Sequence, residues 1–335
     1  MVVTSLDFDR PGRQQGFLQV PYSHDLGGWA NVMIPCTVIA RGRGPTVLVL
    51  GGNHGDEYQG QVAIMKLARE LDPSRINGRL ILIPSLNLPA ARAATRLSPL
   101  DGMNMNRAFP GEAEGTVTSQ IAHYLRTVLF PISDAVIDIH SGGRSMEFIP
   151  CAHMHLVPDL DQRRRMYEAM LAWGTDFCFI YADIAGSGLL PVEAENQGKT
   201  VVTTELGGGE CIPASVHRIA QSGLRNVLIH LGVLKGRVIP RPKPPVLIQA
   251  LSREDYLLAP ESGIFEVAVE LGARVRKGQT VGWIHHLERP DRAPEQIVAA
   301  GSGRLITMRA PCLTRQGDCV AVIAKQVRPG DILRA

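Results

Sequence analysis

The segment Gly51-Gly-Asn-His-Gly-Asp-Glu57 sets an imidazole at His54 and a carboxylate at Glu57, where an apolar strand runs out and a helical pattern begins. On a tight turn entering a helix both side chains reach one point, and an imidazole with a carboxylate suits zinc. Spacing alone more often marks a capped helix start carrying a solvated carboxylate. Gly51, Gly52 and Gly55 also raise a phosphate-binding loop, but neither GxxxxGK[ST] nor GxGxxG is present, which argues against a nucleotide.

A second apolar strand stops at Asp138-Ile-His140-Ser-Gly-Gly143, and a third at Glu205-Leu-Gly-Gly-Gly209. The carboxyl ends of parallel strands in an open α/β sheet share one edge, so His54, Glu57 and His140 can converge there as metal ligands. Asp138 shares a strand face with His140; it either orients that ligand from behind or is a partnered buried acid, and both readings stay open. Glu205 brings another carboxylate to the edge, where it could take a proton from water and return it to a leaving amine; without the other motifs it would read as a loop or capping carboxylate. Between these motifs lies a long polar loop with Arg96, Asn106 and Arg107. Arg107 with Asn106 can grip a substrate carboxylate, and Arg96 can face a developing oxyanion, although an isolated surface arginine is usually just solvated. His123, His153, His155, His217, His230, His285 and His286 are not expected to bind the metal.

These motifs need a scaffold, and the chain supplies one. Between about residues 45 and 235, β-branched runs alternate with helical periodicity, the pattern of βαβ units. Strands are expected at Thr46 to Leu50, Arg79 to Pro84, Ala135 to His140, Phe177 to Tyr181 and Thr200 to Leu206. Apolar residues at helical spacing mark helices through Ile64 to Leu71, Ile121 to Leu129 and Val216 to Leu231. The residues before 45 read as antiparallel edge strands. Four prolines between Ile239 and Pro245 mark a stiff linker. The expected organisation is therefore a catalytic domain over 1–238, a linker over 239–245 and a β-rich domain over 246–335. In that last part, Ser262 to Ile284 recurs loosely as Ser302 to Ile323, pairing Arg276 with Arg315 and Gly278 with Gly317. This resembles the two halves of a biotinyl/lipoyl-like barrel, but the hairpin between the halves lacks the lysine that a carrier would modify.

A length of 335 residues fits one large domain and a small one, because single cores stop growing at roughly 250 to 300 residues. Hydrophobic residues at 45% against 20% charged argue for a packed globule. A net charge of only +3, spread along the chain, and few aromatics leave neither an electrostatic nor a stacking basis for nucleic acid. No apolar run approaches the roughly 18 to 20 residues of a membrane span, and the first residues lack the apolar core of a signal peptide. Six scattered cysteines without a CxxC pair read as reduced, mostly buried thiols. Together these features predict a cytoplasmic protein with no membrane partner.

The set HGDE, NMNRAFPG, DIHSGG and TELGGG resembles the succinylglutamate desuccinylase/aspartoacylase family over nearly the whole chain. The resemblance implies an α/β fold, a mostly parallel mixed sheet flanked by helices and of zinc-carboxypeptidase type, with a small all-β barrel-sandwich domain at the C-terminus. It implies one zinc ion per chain on His54, Glu57 and His140, Glu205 as the catalytic carboxylate, Asn106 and Arg107 on the substrate carboxylate, and Arg96 polarising the carbonyl. The last match is loose, since Arg96 lies further from Asn106 than the family spacing. The implied activity is hydrolysis of an N-acyl amino acid, a small-molecule substrate. Within the family the motifs are most similar to those of members that deacetylate N-acetyl-L-2,4-diaminobutyrate in ectoine catabolism; the alternatives are another N-acyl amino acid or a carboxypeptidase. Glu147 and Glu210 are candidate partners for a substrate ammonium. A homo-oligomer is compatible with the sequence, which does not fix the assembly.

Overall fold

Strands Thr46–Gly51 and Ala135–His140 are buried at every position, and Thr200–Glu205 at all but its last. Continuous apolar runs of this kind require cover on both faces of a sheet. The computed structural model describes residues 1–182 and 186–334. Among them the main sheet runs Gly12–Pro21, Asn31–Arg41, Gly78–Ile83, Thr46–Gly51, Ala135–His140, Thr200–Glu205, Cys151–His155, Phe177–Tyr181 and Val246–Ala250. The four strands from Gly78–Ile83 to Thr200–Glu205 are mutually parallel. The two long N-terminal strands pair antiparallel beside them, as expected for the residues before 45.

Helices Tyr58–Glu70 and Ala214–His230 turn the expected apolar stripes inward, burying Ala63, Ile64 and Leu67 on one and Val216, Ala220, Leu224 and Val227 on the other. The third stripe divides into helix Val117–Tyr124 and a wider turn over Leu125–Leu129. Several elements have no counterpart among the sequence-based expectations, two of them central to the sheet. Strand Cys151–His155 inserts antiparallel beside Thr200–Glu205, and helix Leu160–Trp173 covers the sheet. The strand carries two histidines in five residues, which hides its β character. In the helix, three consecutive arginines dilute a stripe of Met166, Ala169, Met170 and Trp173 that does bury.

The start of helix Val117–Tyr124 is tied to the polar loop by Asp101. Its carboxylate accepts from Thr118 N at 2.8 Å, Thr118 Oγ1 at 2.9 Å and Met103 N at 3.1 Å. Burial pushes this carboxyl up, but the donors outweigh it and hold it below the usual range. A depressed carboxyl stabilises the fold above its unfolded value, about 3.9, and that contribution fades as pH falls further. Asp101→Asn should therefore cost about 1–2 kcal/mol at pH 7, with the gap to wild type narrowing below about pH 4. Urea unfolding at the two pH values measures it; an equal gap at both would contradict the charge-based account.

The C-terminal repeat folds twice as strand, turn and strand. Gly263–Val267 leads to Thr280–His285, and Gly303–Arg309 leads to Cys319–Gln326. The matched arginines occupy equivalent turn positions: Gln279 N donates to Arg276 O and Asp318 N to Arg315 O, each at 3.0 Å. The glycines two residues beyond those arginines, Gly278 and Gly317, have φ of 78° and 88°, the left-handed region where other residues are strained. A separate antiparallel four-stranded sheet packs Phe265, Val281 and Ile284 against Leu305, Val320 and Ile323. The second copy stays on the main sheet, where Cys319–Gln326 pairs with Val246–Ala250. The proline segment is held down, Ile239 exchanging hydrogen bonds with the Asn226 side chain and Arg241 pairing with Asp176. All six cysteines are free thiols, but only Cys36, Cys151 and Cys178 are buried, Cys211 and Cys312 being exposed.

Candidate active site

Parallel register sets Glu205 directly beside His140, and Thr203 beside Asp138, so all four side chains share one face at the carboxyl edge. On the next strand Gly51 pairs with Ile139, and the chain then turns so that Glu57 reaches both histidines. Gly55 makes this turn possible: a Cβ there would stand 2.0 Å from the backbone of Ala90. His54 Nδ1 lies 2.7 Å from Glu57 Oε1, and His140 Nδ1 lies 2.8 Å from Glu57 Oε2. The far nitrogens are also engaged, His54 Nε2 by Asn104 Oδ1 at 3.1 Å and His140 Nε2 by Asp138 Oδ2 at 2.7 Å. Asn104 Oδ1 also accepts from Asn106 N at 2.9 Å, which fixes it as the acceptor. With acceptors facing both Nε2 atoms a proton belongs on each of them, so Nδ1, which faces the Glu57 carboxylate in both rings, is the nitrogen each histidine can offer to a metal.

With both Nδ1 atoms unprotonated, these two nitrogens and the Glu57 carboxylate would repel one another in a buried space unless a cation lay among them. His54, Glu57 and His140 are each at least nine-tenths buried, and one ligand atom from each falls within 4.8 Å of the others. Two imidazoles and one carboxylate form a donor set suited to zinc with a position left open. Burial pushes the Glu57 carboxyl up, yet the two imidazoles outweigh it and hold it low. Burial likewise lowers His140, but Asp138 and Glu57 together raise it well above its ordinary value. Asp138 thus engages the Nε2 side of His140 and is itself steadied by Asn53 Nδ2 at 3.0 Å. A second cluster, Glu261, His286 and Glu295, is half-buried and already faces the guanidinium of Arg292.

All seven residues singled out in the sequence, His54, Glu57, Arg96, Asn106, Arg107, His140 and Glu205, line one cavity of about 430 Å³. Arg96 Nη1 comes within 3.3 Å of His54 Nδ1 and 3.4 Å of Glu57 Oε1. Arg107 Nη1 donates to its neighbour Asn106 O at 2.6 Å, while Asn106 Oδ1 accepts from Leu190 N at 2.8 Å. Asn106 therefore has only its Nδ2 left for a ligand. Glu205 Oε2 is shielded from solvent and has no hydrogen-bond partner among the described residues. Burial first, then the charge of Glu57, push the Glu205 carboxyl up to about 8. A cation among His54, Glu57 and His140 would offset the second cause.

Residues 43–231 match the model of the succinylglutamate desuccinylase/aspartoacylase catalytic domain. The chain belongs to this family. As a family member it is a hydrolase acting on an amide bond. It is 39% identical to the N-alpha-acetyl-L-2,4-diaminobutyric acid deacetylase of Halomonas elongata, over 97% of this chain and 95% of that one. The product-bound structure of the ectoine utilization protein EutE (DoeB) from Ruegeria pomeroyi superposes with a TM-score of 0.93 at 40% identity, covering 97% and 98% of the two chains. A succinylglutamate desuccinylase/aspartoacylase from Rhodobacter sphaeroides reaches 0.93 at 37% identity, covering 98% and 99%.

The far wall of this amidohydrolase cavity was not legible in the motifs. Short strand Met146–Phe148 pairs with Gly303–Arg309, which brings Ile306, Thr307 and Arg309 onto the cavity with Tyr256 nearby. The approach depends on Gly142 and Gly208, where a Cβ would lie 2.0 and 1.9 Å from Met146 O. That requirement accounts for the glycines after His140 and Glu205. Neither acid suggested for a substrate ammonium lines the cavity. Met146 and Phe148 face it, so strand alternation turns Glu147 outward, and Glu210 pairs with Arg144 at 2.5 Å on the surface. Phe179, Tyr181 and His153 complete the wall. No helix among the described residues is long and apolar enough to cross a membrane.

Proposed function

We propose that the chain is a zinc-dependent N-acyl amino acid deacylase whose substrate is N-acetyl-L-2,4-diaminobutyrate, cleaved to acetate and L-2,4-diaminobutyrate. The observation that carries the metal reading is the convergence of two imidazole Nδ1 atoms on Glu57 beside Glu205, whose Oε2 has no partner among the described residues. The substrate follows from similarity to the Halomonas elongata and Ruegeria pomeroyi proteins. Zinc held by His54, Glu57 and His140 would supply Lewis acidity, acidifying a water and polarising the scissile carbonyl. Glu205 takes a proton from the attacking water as its oxygen adds to the acyl carbon. The same carboxyl returns the proton to the amide nitrogen as the C–N bond breaks. Arg96 faces the charge that develops on the carbonyl oxygen. Arg107 and the Nδ2 of Asn106 hold the substrate carboxylate.

Incubating the zinc-loaded protein with N-acetyl, N-succinyl and N-formyl amino acids, both acetyl-diaminobutyrate isomers and dipeptides tests the reading. Release of L-2,4-diaminobutyrate from its Nα-acetyl derivative is expected. Cleavage of dipeptides with none of the acyl compounds would instead make the chain a carboxypeptidase. Arg107→Met should raise KM roughly ten- to a hundredfold, the loss of a charged hydrogen-bonded pair, with a smaller change in kcat. Steady-state kinetics on the same amide decides this, and an unaltered KM would remove Arg107 from substrate binding.

A further inference from the structure

The cavity wall holds a buried imidazole for which the hydrolysis has no use. His153 lies opposite Thr203 in the antiparallel pair, next to the row that carries Glu205 and His140. Its side chain lines the cavity although the residue is only 5% exposed. Thr203 Oγ1 lies 2.9 Å from His153 O and 2.6 Å from His153 Nδ1. A carbonyl only accepts, so the single hydroxyl proton goes to His153 O. Oγ1 must then accept at the second contact, which places the imidazole proton on Nδ1. Nε2 is left as a bare lone pair, and it has no hydrogen-bond partner among the described residues. Burial first, then His140, hold this imidazole far below its ordinary pKa, in keeping with a neutral ring.

A buried acceptor without a donor is costly, so such a group marks where a ligand donor belongs. Among the described lining residues the only carboxylates are Glu57 and Glu205, both committed to the chemistry. Arg309, also on the wall, is paired with Asp318 at 3.1 Å. Ser141 Oγ has no partner either, but a hydroxyl can donate or accept and so discriminates little. The His153 ring stands edge-on to Tyr181, centroids 4.9 Å apart, with Phe179 at 6.5 Å. A lone pair set among aromatic rings suits a donor and disfavours an anion.

We infer that His153, set in one tautomer by Thr203, receives the side-chain amine of the substrate, so that the cavity selects acyl derivatives of diamino acids over neutral or acidic ones. The inference rests on the deacylase reading, and it deepens that reading by naming the group that distinguishes substrates. An acyl-aspartate or acyl-glutamate would bring carboxylate lone pairs against a lone pair, and an acyl-aminobutyrate would leave Nε2 unsatisfied.

The test compares kcat/KM for Nα-acetyl-L-2,4-diaminobutyrate with that for N-acetyl-L-2-aminobutyrate, which lacks only the amine. It also compares calorimetric binding of the free amino acids L-2,4-diaminobutyrate and L-2-aminobutyrate to the zinc-loaded protein. Wild type should favour the diamine in both measurements. In His153→Phe that preference should fall roughly ten- to a hundredfold, the loss expected for a hydrogen bond to a charged group. His153→Gln, which can retain an acceptor, should recover part of it. Thr203→Val, which frees the tautomer while keeping the volume, should show a smaller loss and serves if His153→Phe does not fold. A folded His153→Phe protein with its preference intact would overturn the inference, as would a wild type that binds both amino acids equally. Selective binding of the diamine by a wild type that cleaves no acyl compound would support His153 and reject the deacylase reading.

Discussion

Glu205→Gln is expected to lower kcat by about 10²- to 10⁴-fold, the usual worth of a positioned general acid–base group, with zinc content unchanged. Glutamine keeps the shape of the side chain but cannot take a proton from water. Glu205 is separate from the proposed ligand set: His54 and His140 turn their nitrogens to Glu57, and Glu205 Oε2 stands beside them without a partner among the described residues. Metal analysis on the purified variant, alongside amine release, distinguishes lost chemistry from a lost ion. Near-normal turnover with metal retained would remove Glu205 from the proton transfers.

Dialysis against a chelator should abolish amine release, and added zinc should restore it. The same ion should stabilise the fold, because repulsion among His54 Nδ1, His140 Nδ1 and Glu57 is relieved when a cation lies between them. At free zinc a hundred times Kd the linkage amounts to about 2.7 kcal/mol, visible as a higher Tm. His140→Ala should lose both the activity and most of the zinc-dependent rise. Full activity after chelation, or a melting curve indifferent to zinc, would contradict the metal reading. Cobalt or manganese can be compared in the same assay, since the donor set narrows the choice of ion without fixing it.

The reactive edge could be read from the sequence because each central strand is a continuous apolar run that ends abruptly in a polar, glycine-bearing motif. Strand ends are local features, and parallel order brings His54, His140 and Glu205 to one side whatever lies between them. Asn104 was not visible in the same way. It is an ordinary turn residue until the loop folds back and turns its Oδ1 to His54. The strand Cys151–His155 and the wall from Ile306 to Arg309 depend on pairing between distant segments, and nothing in their own composition announces the cavity. Glu147 and Glu210 show the converse. Both lie in sequence near the motifs, yet alternation turns one away and Arg144 engages the other. Nearness along the chain was a poor guide to who faces the substrate, whereas the repeat of Arg276 and Arg315 was a good one, because each turn is built from adjacent residues.

The pairing of Met146–Phe148 with Gly303–Arg309 has a consequence for biosynthesis. Every group assigned to bond cleavage lies at or before residue 205, whereas Tyr256, Ile306, Thr307 and Arg309 leave the ribosome later. A nascent polypeptide therefore carries its reactive machinery before the wall that encloses it. The cavity is closed last, when Gly303–Arg309 docks onto Met146–Phe148 beyond His140.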